Sequence, residues 1–320
     1  MTVRIVGCLK AVACGDAIGK QTEGLSRDRI RRWYPQGVRG FEGTPGTVIP
    51  RYASNSKHRW RFGETTDDTE RTIAVARAIL RDRDVRHVTI GRELLACSKC
   101  VHPGVKSLWE FHQANDPERI ADHHDGCGAA IRVSPVGILY RSHRLDELVD
   151  GAREASIPTH GGALALAGAA ATAAAVSGAI DGADASQIFE LAQLAASRAE
   201  RDRSGKKAST FVDSLRRIHD ALRQQVRIDA DEVSERHFPD NPLTIVPLAL
   251  SLATVMQSAQ DAILLAANVG GDSDSVASIA GAVLGARYPE TVTDEWYDVV
   301  EIINDHRLVA LGEHLKGCRH

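Results

Sequence analysis

Apolar residues recur every three to four positions along most of the chain, as at Ile73, Ala76, Ile79 and Leu80, and again at Ile188, Leu191, Leu194 and Ala195. That spacing lines one face of an α-helix. It predicts helices near residues 3–19, 67–83, 87–100, 105–115, 143–155, 161–179, 185–203, 207–226, 242–258, 259–267, 273–286 and 291–304. Alternating β-branched runs bounded by turns are scarce, and only 5% of residues are aromatic, so strands are not expected. The chain therefore reads as all-α, a single compact domain of orthogonally packed helices over residues 1–320, without internal repeat or interdomain linker. Residues 35–62, with Pro35, Gly37, Gly40, Gly43, Pro45, Gly46 and Pro50, read as a long loop. Loops of that length in compact domains are often functional.

The stretch from Gly161 to Ile180 has no charged residue and is long enough to cross a bilayer. Alanine dominates it, and alanine gains little from transfer to lipid while letting helix backbones approach closely. A buried central helix is the expectation, and no membrane partner. Lys+Arg of 39 against Asp+Glu of 42 leaves a formal charge of -3, so no net basic field draws nucleic acid. The amino terminus runs straight into Arg4 and Lys10, unlike a signal peptide. With six cysteines and no such peptide, the chain is expected in the reducing cytoplasm.

Candidate chemistry is concentrated in two acidic segments. Gly63-Glu64-Thr65-Thr66-Asp67-Asp68-Thr69 opens one predicted helix, and taken alone it reads as a helix cap. The second segment, Asn268-Val269-Gly270-Gly271-Asp272-Ser273-Asp274-Ser275, opens another helix with the same chemistry. Paired glycines permit a tight turn there. Adjacent carboxylates repel, and a divalent cation relieves the repulsion. Oxygen donors of this kind suit Mg²⁺ or Mn²⁺ and not zinc.

These segments resemble the ADP-ribosylglycohydrolase family, which carries a threonine and two aspartates early and Asp-x-Asp-Thr after two glycines late. Thr66-Asp67-Asp68 and Gly270-Gly271-Asp272-Ser273-Asp274-Ser275 match in that order, with serine keeping the hydroxyl at 275. Gly15-Asp16-Ala17-Ile18-Gly19 with Glu23, Gly126-Cys127-Gly128-Ala129-Ala130-Ile131-Arg132, and Thr159-His160 extend the likeness over roughly residues 5–290. The resemblance implies that Thr66, Asp67, Asp68, Asp272, Asp274 and Ser275 ligate two divalent cations, Mg²⁺ or Mn²⁺, in a dinuclear site at helix starts. It also implies that Gly126, Cys127, Gly128, Ala129 and His160 contact the ribosyl substrate, and that Glu23, Asp67 and Asp272 are the catalytic carboxylates. The family usually has asparagine where this chain has Cys127, a change that removes a carboxamide from the pocket.

Other signals weigh less. Cys97-Ser98-Lys99-Cys100 with His102 is half a zinc site with no second half downstream. His123-His124-Asp125 reads as loop polarity, Asp16 as a brace, and the charged run from Arg198 through Glu200 to Lys207 as a solvated helix end. The expected activity is metal-dependent hydrolysis of the glycosidic bond of an ADP-ribosyl group on a protein side chain or small molecule. The alternatives are an N-ribohydrolase for a nucleoside, nucleotide or other simple ribosyl compound, and last a non-catalytic relative that binds ADP-ribose.

Overall fold

In the computed structural model, residues 1–54, 58–99, 106–204 and 210–320 are described. Among them the regular structure is helical, and the only extended pairing is an isolated bridge between Val48 and Arg61. In chain order the helices are α1 (Thr2–Gly19), α2 (Arg27–Trp33), α3 (Asp67–Asp82), α4 (His87–Leu95), α5 (Lys106–Ala114), α6 (Ser134–Leu139), α7 (Leu145–Ser156) and α8 (Ala163–Asp181). They continue with α9 (Ala185–Ser204), α10 (Thr210–Arg223), α11 (Ala230–His237), α12 (Pro242–Val255), α13 (Ala259–Val269), α14 (Ser273–Arg287), α15 (Asp294–Asn304) and α16 (Leu308–Lys316). Short 3-10 turns lie at Pro50–Tyr52, Cys127–Arg132 and Pro289–Thr291.

Four helices have no counterpart among those read from periodicity: α2, α6, α11 and α16. Their sequences explain why. In α2 only Ile30 is buried, and in α11 only Ala230 and Val233, too few positions to establish a period. Every residue of α6 is buried, which erases the contrast between faces. The predicted helix at 87–100 stops at Leu95, while Cys100 and His102 lie outside the described residues. The charged run after Arg198 is not simply solvated. Glu200 is buried, and its carboxylate accepts the amide of Phe211 at 3.2 Å, whereas the side chains of 201–204 and residues 205–209 lie outside the description.

The alanine-rich helix α8 is long and apolar enough to cross a membrane, yet 89% of it is buried inside the protein. It packs against α6, α7, α9, α12 and α14, and the small side chains let so many neighbours approach. The most extensive helix pair is α1 with α14, and glycines set its closeness. A Cβ on Gly15 would lie 2.5 Å from the carbonyl oxygen of Ala277, and one on Gly285 would lie 2.4 Å from that of Gly7. At the far end, a Cβ on Gly19 would fall 2.5 Å from the Cα of Asp274. Backbone thus rests on backbone, and the acid-bearing first turn of α14 is held against the last turn of α1.

This packing can be tested by contrasting two substitutions. Gly15→Ala forces the α1–α14 backbones apart and should destabilise by about 1–3 kcal/mol, as overpacking does. Gly168→Ala, on α8, puts its Cβ at an ordinary 3.4 Å from Phe211 and should be neutral or stabilise by up to about 1 kcal/mol through helix propensity. Urea unfolding midpoints of both variants measure the difference. Equal midpoints would reject the close approach as the constraint.

Candidate functional site

The site begins with a carboxylate that α1 presents to another helix. Asp16 is fully buried and accepts the backbone amide of Thr66 through both oxygens at 3.0 and 2.9 Å. It also accepts the amide of Thr69 at 3.1 Å and the Thr69 hydroxyl at 2.5 Å. Burial raises its carboxyl above the usual range, with the Thr69 and Thr66 hydrogen bonds pulling the other way. Asp16 therefore caps α3 from outside it, and Thr66 Oγ1 completes the cap by accepting the Asp68 amide at 3.1 Å.

With capping done by those two residues, Asp67 and Asp68 are left over. Asp67 forms an ion pair with Arg71 one turn on. Asp68 is buried, and its Oδ2 accepts the hydroxyls of Ser275 at 3.3 Å and Ser278 at 3.5 Å on α14. Burial first, then the charges of Asp274, Asp16 and Asp272, hold its carboxyl well above the usual range. That cost is not explained by helix formation.

The second acidic segment arrives through two glycines in the left-handed region, Gly270 at φ 90° and Gly271 at φ 65°. A Cβ on either would strike backbone, at 2.2 Å from Leu25 O and 2.4 Å from Pro239 O respectively. Gly271 is tied to the turn after α1 by two backbone bonds, Gly24 N to Gly271 O at 2.7 Å and Gly271 N to Leu25 O at 2.9 Å. Ser273 donates to Gly19 O at 2.9 Å. Asp272 then opens α14 without capping it with its side chain, and its Oδ2 accepts the Cys127 thiol at 3.2 Å. Asp274 is buried, accepts the Ser275 amide at 3.1 Å, and lies 3.6 Å from Lys20 Nζ. Its carboxyl is held well above the usual range by burial and by Glu23, against the pull of Lys20.

Glu23 sits on the turn after α1, partly exposed, with its carboxylate on Lys20 and its carbonyl accepting Arg51 Nη2 at 2.7 Å. Lys20 itself is buried, and its ammonium lies 4.6 Å over the Trp60 ring. Gly126 precedes the 3-10 turn that begins at Cys127. Burial and the charges of Asp272 and Asp68 push the Cys127 thiol well up, so it is a neutral donor. Gly128 and Ala129 are buried. His160 is buried beneath this turn, where a Cβ on Gly128 would lie 2.7 Å from its Cε1. Its Nδ1 pairs with the Thr159 hydroxyl at 2.7 Å, and that hydroxyl also accepts the fully buried Arg132 at 2.8 Å. His160 thus supports the glycine turn from below. Among the loop residues, Asp125 caps α8 by accepting the Leu164 amide at 2.8 Å.

The structure brings Asp68, Asp272, Asp274, Ser275, Cys127 and Glu23 to one place, and it turns Asp67 aside to Arg71. Among the described residues, no three His, Cys, Asp or Glu side chains enclose a metal as they stand, so the expected six-ligand set is not assembled in this arrangement. Lys20, Trp60 and Arg71 were not singled out by sequence. Lys20 and Arg71 had a signal, since each stands one helical turn from an acid, Glu23 and Asp67. A cavity of about 1380 Å³ elsewhere in the fold is lined by residues such as Phe189, His219 and Met256 and by none of these.

The all-helical fold, with two acid-bearing helix starts brought together, is shared with a solved structure. A solved structure described as an ADP-ribosylglycohydrolase-related protein complex superposes with TM-score 0.73 over 100% of this chain and 99% of its own, at 22% identity. The chain belongs to the ADP-ribosylglycohydrolase family, whose model it matches over residues 2–318. It is 32% identical to the uncharacterised protein YegU of Escherichia coli (strain K12), covering 92% of this chain and 90% of that one. It is 24% identical to the ADP-ribosylhydrolase ARH3 of Mus musculus, covering 97% and 91%.

His160 supplies a pH test. Burial, then Arg132 and Arg71, hold its pKa well below 6.5, so the unfolded chain binds a proton that the folded one refuses. Its share of stability is present above about pH 6.5 and is lost as pH falls below that value. The thermal midpoint of His160→Gln should therefore fall less than that of the parent between about pH 7.5 and 5.5. Parallel falls would show that the ring is not held neutral.

Proposed function

We propose that the chain hydrolyses the glycosidic bond of an ADP-ribosyl group attached to a protein side chain or small molecule, with Mg²⁺ or Mn²⁺ bound. One observation carries the reading beyond family membership. Asp68 and Asp274 are buried, burial and neighbouring carboxylates hold both well above the ordinary range, and neither is the N-cap residue of its helix. Clustered buried acids cost stability, and the donor set fits a hard cation, since every side-chain donor is a carboxylate or hydroxyl oxygen.

The residues that would hold such an ion are Thr66, Asp68, Asp272, Asp274 and Ser275, with Asp67 available on release from Arg71. When bound, a divalent cation supplies positive charge for ribose hydroxyls and lowers the pKa of a water. The chain's own contributions are separate. Glu23, at the partly exposed edge, is the carboxylate placed to take a proton from water or deliver one to the leaving group. The Gly126–Gly128 turn lets backbone approach a ribose or diphosphate closely. His160, neutral beneath it, holds that turn. The free thiols of Cys8, Cys14, Cys127 and Cys318 fit a reducing cytoplasm.

A second reading, hydrolysis of a simpler ribosyl compound, is favoured by Cys127. Its thiol is committed to Asp272 and is a weaker partner than a carboxamide.

Metal dependence predicts that Mg²⁺ or Mn²⁺ raises the thermal midpoint, by about 2.7 kcal/mol of stability at a hundredfold excess over Kd. Asp68→Asn should melt higher than the parent without metal, because it relieves buried repulsion, and should respond less to the ion. No response of the parent to either ion would remove the metal from the mechanism. Activity on ADP-ribosylated arginine and serine peptides, O-acetyl-ADP-ribose, nucleosides and nucleotides then identifies the substrate class. Cys127→Asn should improve affinity for ADP-ribose relative to ribose 5-phosphate by about 1 kcal/mol, the worth of one hydrogen bond, as measured by calorimetric titration. An unchanged ratio would favour the ADP-ribosyl reading over the simpler one.

A further inference from the structure

We propose that Arg71 binds a phosphoryl group of the ribosyl substrate, and that Asp67 occupies its guanidinium until a divalent ion draws Asp67 away; the inference rests on the function proposed above. Two buried arginines flank the glycine turn, and they are committed very differently. Arg132 donates to the carbonyls of Gly128, Ala155 and Ser156 and to the Thr159 hydroxyl. Arg71 has Asp67 as its one hydrogen-bond or ion-pair partner among the described residues, and its Nε is buried without any. A guanidinium carries five N–H donors, and leaving buried donors unused costs stability.

Arg71 stands where those donors meet a ligand. A Cβ on Gly128 would lie 3.1 Å from its Nη1, at the turn proposed to meet the ribose or diphosphate. The Asp67 side chain is 24% exposed against 3% for Arg71, so an anion from solution reaches the guanidinium by taking the place of Asp67. The planar fork of arginine fits phosphoryl oxygens as it fits a carboxylate. An ion that takes Asp67 as a ligand leaves Arg71 buried and unpaired, and a phosphoryl group restores the pairing. Ion and phosphorylated substrate therefore bind with positive coupling, each raising the affinity for the other.

Calorimetric titration separates the role of Arg71 from that of the ion. Asp67→Asn frees the guanidinium without metal, so in EDTA this variant should bind ribose 5-phosphate at least about tenfold tighter than the parent, as one charge-assisted hydrogen bond would give. Adenosine, an uncharged riboside, should bind both alike. Adding Arg71→Gln to Asp67→Asn should abolish the gain, which loss of a negative charge alone would leave intact. Titration with ADP-ribose distinguishes the sources of the group: an equal gain assigns Arg71 to a diphosphate, and a gain confined to ribose 5-phosphate assigns it to a terminal phosphate. No gain in Asp67→Asn, or a gain kept in the double variant, would overturn the inference while leaving the proposed function standing. If Asp67→Asn does not fold, Arg71→Gln decides. With Mg²⁺ present it should bind ribose 5-phosphate at least about tenfold weaker than the parent and adenosine equally, and equal affinity for ribose 5-phosphate would remove Arg71 from substrate binding. Failure of the parent and every variant to bind any of these compounds with Mg²⁺ would overturn the ribosyl reading and this inference together.

Discussion

Everything at this site depends on how closely α1 lies against α14. Gly7, Gly15 and Gly19 on one helix and Gly285 on the other leave no room for a methyl between the two backbones. That closeness is what lets one helix serve two neighbours. Along its glycine face α1 fixes the start of α14, and from another face Asp16 reaches across to cap α3. Both acid-bearing helix starts are therefore referenced to the same rigid rod, although their sequences are about 200 residues apart.

Placing helix starts together also places their dipoles together. The unpaired amides at the first turns of α3 and α14 lend positive potential to a cluster of carboxylates, which is one reason buried aspartates persist there. It is insufficient on its own, since Asp68 and Asp274 remain far above their ordinary pKa. Fixed cations from the chain reduce the excess, through Arg71 on the α3 side and Lys20 on the α1 side. The site is thus a compromise between stability and a charge distribution kept for chemistry.

Much of this was legible in the sequence, and the exceptions have physical causes. Long helices with one apolar face, such as α3 and α10, announce themselves, and so does α8 through its alanines. Short helices such as α2 and α6 do not, because burying one residue or all of them leaves no period to read. The acidic segments were visible as paired motifs, and both lie at helix starts as expected. What sequence could not resolve was which acids are already paired. Asp67 and Asp68 are neighbours of identical type, yet α3 turns one toward Arg71 and the other toward Ser275. A step of one residue on a helix rotates a side chain by roughly 100°, and that rotation separates a paired acid from an unpaired one.

The same geometry bears on what the glycine turn at 126–128 can recognise. Its underside is filled by His160, which Arg132 and Arg71 help to keep neutral, and its Cys127 thiol is drawn to Asp272. A side chain larger than hydrogen at Gly128 would meet His160 on one side and Arg71, at 3.1 Å, on the other. The turn is therefore clamped between a neutral ring below and the acidic start of α14 beside it. A group approaching this turn finds backbone and a thiol already donating to Asp272, where the family usually offers a carboxamide. An amide can donate to Asp272 and still accept from a ligand at full strength, whereas sulfur accepts weakly. Under the proposed function, discrimination among ribosyl compounds at this turn would rest mainly on its backbone and shape, and little on its one polar side chain.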